Sequence, residues 1–214
     1  MIHPKKFSLF LNIQATFYNA KESLSVDDPI LMNQVHGADV IFLTEKPTGR
    51  LDCDALITKE PNLKLTVKTA DCTPVLLADP QNHIVGAVHA GWKGAFQGIL
   101  ENTIFAMIRH GAELKNIIAA VGPHLTQASF QVTENMVSLF PKTEMHFFKN
   151  TENGTYFDFT GYVVHRLNRI GISNVEVFDI DTFQNTDYNS YRRDPQNPAR
   201  QYSVIYLTEG ANHV

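Results

Sequence analysis

Residues Leu63–Gly111 read LKLTVKTADCTPVLLADPQNHIVGAVHAGWKGAFQGILENTIFAMIRHG, and the fold class turns on how this run changes period. Leu63 to Thr69 alternates with a period of two, the mark of a half-buried strand. Pro74 to Ala78 (PVLLA) is a short apolar run stopped by the turn pair Asp79-Pro80. Ile84 to His89 (IVGAVH) is a further apolar strand, broken by Gly91-Trp92-Lys93-Gly94. Phe96, Leu100, Ile104, Met107 and Ile108 then share one helical face, and Gly111 stands where a C-terminal cap would. Strands followed by an amphipathic helix make the chain α/β.

Outward from this stretch the same alternation continues. Val40 to Leu43 and Ile117 to Val121 read as strands, the latter ended by Gly122-Pro123. Phe130 to Phe140 is predicted helical, and a further helix runs from about Phe159 to Ile170, with Asp158 or Thr160 near its start and Gly171 closing it. Val175 to Ile180 and Tyr202 to Leu207 are predicted strands. Between these lies Phe183 to Gln201, a long polar loop carrying Arg192, Arg193 and Arg200; loops of this length inside a compact domain are usually functional. No repeat, low-complexity tract or linker divides the chain, so residues 1–214 are expected to form one domain. The strict βαβ alternation and the G-x-G-x-x-G turn of a dinucleotide fold are missing.

With 214 residues, 43% hydrophobic and 19% charged, the composition is that of a folded domain with a sizeable core. A net charge of -4 argues against a nucleic-acid partner. No apolar run reaches the roughly 18 residues of a membrane span. The opening MIHPKKFSLFLNIQATF lacks a clean cleavage site and reads as the start of the fold, not as a signal peptide. Cys53 and Cys72 cannot build a disulfide scaffold, which points to free thiols and a cytoplasmic location.

Three segments carry the chemistry: Asn33-Gln34-Val35-His36-Gly37, Thr69-Ala70-Asp71-Cys72-Thr73-Pro74 and Val88-His89-Ala90-Gly91-Trp92-Lys93-Gly94. Each sets a His or Cys at a strand end beside a turn-forming residue, where a rigid sheet positions binding groups. Two imidazoles and a thiolate suit zinc, and three protein ligands leave the fourth tetrahedral position to water or substrate. The competing reading is a buried, inert Cys72 with two hydrogen-bonded histidines, because the spacing has no C-x-x-C grammar. Cys53 stands between Asp52 and Asp54, whose carboxylates disfavour a nucleophilic thiolate.

Together with Asp54-Ala55-Leu56-Ile57-Thr58, Ala120-Val121-Gly122-Pro123 and Asn189-Ser190-Tyr191-Arg192-Arg193-Asp194, these segments resemble the bacterial laccase-domain family. Its members are described as purine nucleoside phosphorylases and, earlier, as multicopper polyphenol oxidases. The resemblance covers roughly residues 30 to 207 and rests above all on A-D-C-x-P-V-L and H-A-G-W-K-G. It implies an α/β fold, a mixed-sheet sandwich with helices packed outside and related to cysteine hydrolases. It also implies His36, Cys72 and His89 as metal ligands. The family often places His where this chain has Tyr191.

A multicopper oxidase holds its coppers largely through H-x-H pairs, and this chain has nine histidines and no H-x-H. Copper at a single His-Cys-His site would give at most weak phenol oxidation in vitro. Phosphorolysis of a purine nucleoside such as adenosine, inosine or methylthioadenosine fits better, because it needs a held phosphate and help for the leaving base. The helix predicted to start at GWKG would offer an anion site with Lys93, and Arg192 and Arg193 would add guanidinium forks for phosphate. A solvated loop is the competing reading of the two arginines. Asp71, beside Cys72, is the candidate for proton transfer, with a ligand-orienting role as its alternative. Zinc also suggests an adenosine deaminase side activity, although the H-x-E and P-C-x-x-C signature is missing. The competing classes are a cysteine hydrolase of amide or peptide bonds with Cys72 as nucleophile, and a binding protein with a structural zinc.

Overall fold

The computed structural model describes residues 1–209; the expectation of one domain over 1–214 extends past them at 210–214. The strands in chain order are β1 (Ile13–Phe17), β2 (Ile30–Leu31), β3 (Val40–Leu43), β4 (Ala55–Thr58), β5 (Leu65–Thr69), β6 (Thr73–Asp79) and β7 (Ile84–Ala90). After the helices α1 (Trp92–Gln97) and α2 (Ile99–Arg109) come β8 (Ile118–Val121), β9 (Gln131–Val132) and α3 (Glu134–Val137). The chain continues through β10 (Phe148–Thr151), β11 (Gly154–Phe157), α4 (Phe159–Ile170), β12 (Val175–Val177) and β13 (Gln201–Leu207).

A six-stranded sheet in the order β12-β8-β6-β7-β4-β3 forms the middle layer. Its central strands are buried on both faces, which is why they read as continuous apolar runs rather than alternating ones. On β6, Val75 and Leu77 face the helices while Leu76 and Ala78 face the other way. That second face packs on a four-stranded sheet in the order β1-β13-β5-β2, and the first face on α1, α2 and α4. Each fully buried leucine at these interfaces contributes about 1.5–3 kcal/mol. The expected α/β sandwich with outer helices is therefore observed. A small sheet, β10-β11-β9, closes one end over packed rings of Phe130, Phe140, Phe148, Phe157, Phe159 and Tyr162.

Two helical predictions need correction. The helix expected from Phe96 onward is two helices, because Gly98 takes a left-handed φ of 98° between α1 and α2. Phe130–Phe140 is helical only at Glu134–Val137, since Gln131 and Val132 pair with β11 instead. By contrast, α4 starts and stops as expected, with the Asp158 side chain accepting from the Gly161 N–H and left-handed Gly171 ending it.

Candidate metal centre

Three adjacent strands deliver the site to one end of the six-stranded sheet. Cys72 immediately precedes β6, His89 is the penultimate residue of β7, and Asp54 immediately precedes β4. The register pairs Thr73 with Ala90 and Ala55 with Val88, so Cys72 and Asp54 flank the end of β7 that carries His89. His36 comes from the loop between β2 and β3, and β5 belongs to the other sheet, so the Ala70-Asp71-Cys72 turn crosses from one layer to the next.

The donor atoms of His36, Cys72 and His89 lie within 4.8 Å of one another, and among the described residues this is the one such group of three or more. The two imidazoles meet edge to face, with ring centres 4.8 Å apart. His89 is buried; its Nδ1 lies 2.7 Å from Asp54 Oδ1, which leaves Nε2 for the cluster. Burial opposes charge on Cys72, but hydrogen bonds from His36 and His89 outweigh it and bring the thiol down to about 6. Burial likewise works against a charged His89, and the bonds to Asp54 and Cys72 override it, raising the imidazole to about 9. Asp54 is wholly buried, which alone would push its carboxyl up; the bond from His89, then the Gly37 and His36 N–H groups, hold it below the usual range.

The donor set suits a thiolate- and imidazole-binding ion, and the backbone around it leaves space for one. A Cβ on Gly91 would lie 2.8 Å from His36 Nδ1 and 3.3 Å from Cys72 Sγ, filling the cradle between them. A Cβ on Gly94 would strike the Gly37 carbonyl at 2.6 Å, so α1 packs hard on the His36 loop. His36 itself adopts φ 59° and Asp71 φ 86°, left-handed conformations that cost about 1–2 kcal/mol each outside glycine. Such backbone persists where the surroundings over-determine it.

The cluster lines a cleft of about 920 Å³ shared by Asp71, Trp92, Phe130, Tyr191, Arg192 and the cations Lys68 and Arg200. Asp71 accepts from Thr182 Oγ1 at 2.7 Å and from the Arg192 N–H at 2.6 Å, tying the long loop to the turn that carries Cys72. The Arg192 guanidinium bonds the Gln131 carbonyl at 3.0 Å and lies over the Phe130 ring. Arg193 does not line the cleft; its guanidinium bonds the Thr182, Phe183 and Tyr188 carbonyls and braces the loop. Lys93 is exposed beside Trp92 and is also outside the cleft lining. The end of α1 expected to bind an anion belongs to a six-residue helix that packs on the His36 loop. Asp54, Lys68 and Arg200 were not assigned from sequence. Asp54 becomes recognisable only in the fold, where the pairing of β4 with β7 sets it opposite His89.

A family model described as multi-copper polyphenol oxidoreductase laccase matches residues 11–208. A purine nucleoside phosphorylase of Rickettsia prowazekii is 35% identical over 187 residues, 85% of this chain and 77% of that protein. Another, from Deinococcus radiodurans, is 35% identical over 184 residues, 86% of this chain and 72% of that protein. The crystal structure of Neisseria meningitidis protein NMB0706 superposes with a TM-score of 0.76 at 31% identity, covering 83% of this chain and 74% of that one. YlmD from Geobacillus stearothermophilus shares the fold, with a TM-score of 0.82 at 21% identity over 94% of this chain and 93% of that one. The described residues offer ligands for a single ion, whatever the plural metal in the family's description, and no helix among them is long and apolar enough to cross a membrane. By the extent of its match, the chain belongs to the multi-copper polyphenol oxidoreductase laccase family.

Proposed function

We propose that the protein is a zinc-dependent purine nucleoside phosphorylase that converts adenosine, inosine or methylthioadenosine and phosphate to free base and ribose 1-phosphate. The observation that carries the reading is the His36–Cys72–His89 cluster lining a cleft that also holds cations and aromatic faces. The names of the relatives from R. prowazekii and D. radiodurans support it. His36, Cys72 and His89 would hold the zinc, which would supply a Lewis acid with one coordination position left to water or substrate.

The chain's own groups do the remaining work. Arg192, Lys68 and Arg200 balance the charge of a phosphate entering the cleft. Trp92, Phe130 and Tyr191 offer faces on which a purine stacks. A phosphate oxygen bonds to the anomeric carbon as the glycosidic bond breaks, and its electron pair leaves with the purine. Asp71, held by Thr182 and the Arg192 N–H, is the proposed carrier of the proton that the attacking hydrogen phosphate gives up and the departing base takes. Arg193 contributes by bracing the loop that presents Arg192. An adenosine deaminase side activity belongs to the same proposal, and copper at the same residues would give weak phenol oxidation. Two free thiols fit a cytoplasmic setting.

One observation favours a second reading. Cys72, His89 and Asp54 line up as nucleophile, base and orienter, the arrangement of a cysteine hydrolase. The deciding experiment is metal analysis and an inosine assay on one sample. The proposal expects about one zinc per chain and hypoxanthine released only when phosphate is present. Cys72→Ala should abolish turnover, because one of only three protein ligands is lost. Release without phosphate, or full turnover after chelation, would reject it.

A further inference from the structure

Asp54 accepts four hydrogen bonds, and they come from both of the segments that carry the histidines. Oδ2 accepts from the Val35 N–H at 3.2 Å and the Gly37 N–H at 2.7 Å. Oδ1 accepts from the His36 N–H at 3.0 Å and from His89 Nδ1 at 2.7 Å. The carboxylate is fully buried. An ionised carboxylate offers about four lone-pair sites and no donor, so four donors saturate it. Three of those donors are backbone groups whose protons cannot move. The fourth contact is therefore an attraction only if His89 carries its proton on Nδ1.

From this saturation we infer that Asp54 is the positioning residue of the metal centre. It holds the loop that sets His36 in its left-handed conformation and fixes the His89 tautomer that turns the Nε2 lone pair toward Cys72. The inference rests on reading the cluster as a metal site, but it does not depend on which reaction follows. Asparagine is nearly isosteric with aspartate and cannot replace it. Whichever way its amide turned, an NH₂ group would face either the Val35 and Gly37 N–H groups or those of His36 and His89, donor against donor. Either orientation turns two of the four attractions into repulsions, although nothing in the cluster itself had changed.

The test uses zinc itself as the probe. Asp54→Asn should bind zinc about 10–100-fold more weakly than the unmodified protein, measured by competition with a chromophoric chelator. In the zinc-loaded unmodified protein, ¹⁵N NMR of the histidine rings should show His89 protonated at Nδ1 and metal-shifted at Nε2. A folded Asp54→Asn with unchanged zinc affinity overturns the inference. So does an Nε2-protonated His89, and that measurement stands even where Asp54→Asn fails to fold. Failure of the unmodified protein to take up zinc overturns the metal reading and this inference with it. Weakened zinc binding in Asp54→Asn, beside an unmodified protein without phosphorolysis, supports the positioning role while rejecting the proposed activity.

Discussion

Cys53 and Cys72 carry the same side chain in opposite surroundings. Cys53 lies fully buried between the two sheets, its Sγ 3.8 Å from Met32 Sδ, and burial followed by the neighbouring Asp54 charge pushes its thiol up to about 12. Cys72 borders the cleft, and its two histidines hold it near 6. In metal-free protein, iodoacetamide should modify Cys72 at a rate that is flat above about pH 7. Below about pH 6 the rate should fall roughly tenfold per unit, as the thiolate is protonated. Cys53 should stay unmodified until the chain unfolds, and peptide mapping distinguishes the two. Equal labelling of both thiols would contradict the assigned environments. At this scale His36, Cys72 and His89 were legible as candidates, each near a Gly or Pro at a strand end, and the family resemblance favoured reading them as metal ligands. Asp54 was not, because a lone Asp inside Asp52-Cys53-Asp54 carries no periodic mark; its partners appear only when β4 meets β7.

Among the elements, the loop between β12 and β13 is held from three directions. Asp71 takes its Arg192 N–H, Arg193 grips three of its carbonyls, and Asn189 donates from its N–H to the Gln201 side chain. Under the proposed activity, Arg193→Ala should raise KM for inosine roughly 10-fold, about 1.4 kcal/mol, with a smaller change in kcat. It should also speed proteolytic cutting between Phe183 and Gln201. Steady-state kinetics and limited proteolysis check both; an unchanged KM with a fully protected loop would refute the bracing role. The loop itself was legible as an unusually long polar stretch. Which arginine faces the cleft was not, since Arg192 and Arg193 differ only in where their backbone points them. Phe130–Phe140 misled for a related reason: its apolar residues fit a helix, but Phe130 packs on Phe157 and Phe159, and Phe140 on Phe96, Phe157 and Tyr162. Aromatic packing and the β9–β11 pairing outweigh local period. Gly98 escaped notice because apolar spacing runs straight across it.

For the whole molecule, the six-stranded sheet was readable in outline, since PVLLA and IVGAVH are short apolar runs bounded by turn residues, as strands covered on both faces are. The four-stranded sheet was not, because β1 pairs β13 and β13 pairs β5 across most of the chain's length. The candidate metal ligands fall on both sides of that division. His36 follows β2 of the four-stranded sheet, Cys72 stands in the turn between the two sheets, and His89 is part of β7 in the six-stranded one. An ion at this place would be a clasp between layers, so metal occupancy and global stability should rise together. At zinc about 100-fold above its Kd, linkage contributes about 2.7 kcal/mol and should raise Tm by roughly 5–10 °C for a chain of this size. Scanning calorimetry with and without a chelator reads this directly, and a Tm indifferent to zinc would refute it. A chain that loses its metal would then lose more than an ion: the layers would part first where the cleft opens, and the protein's working lifetime would be set by the supply of metal around it.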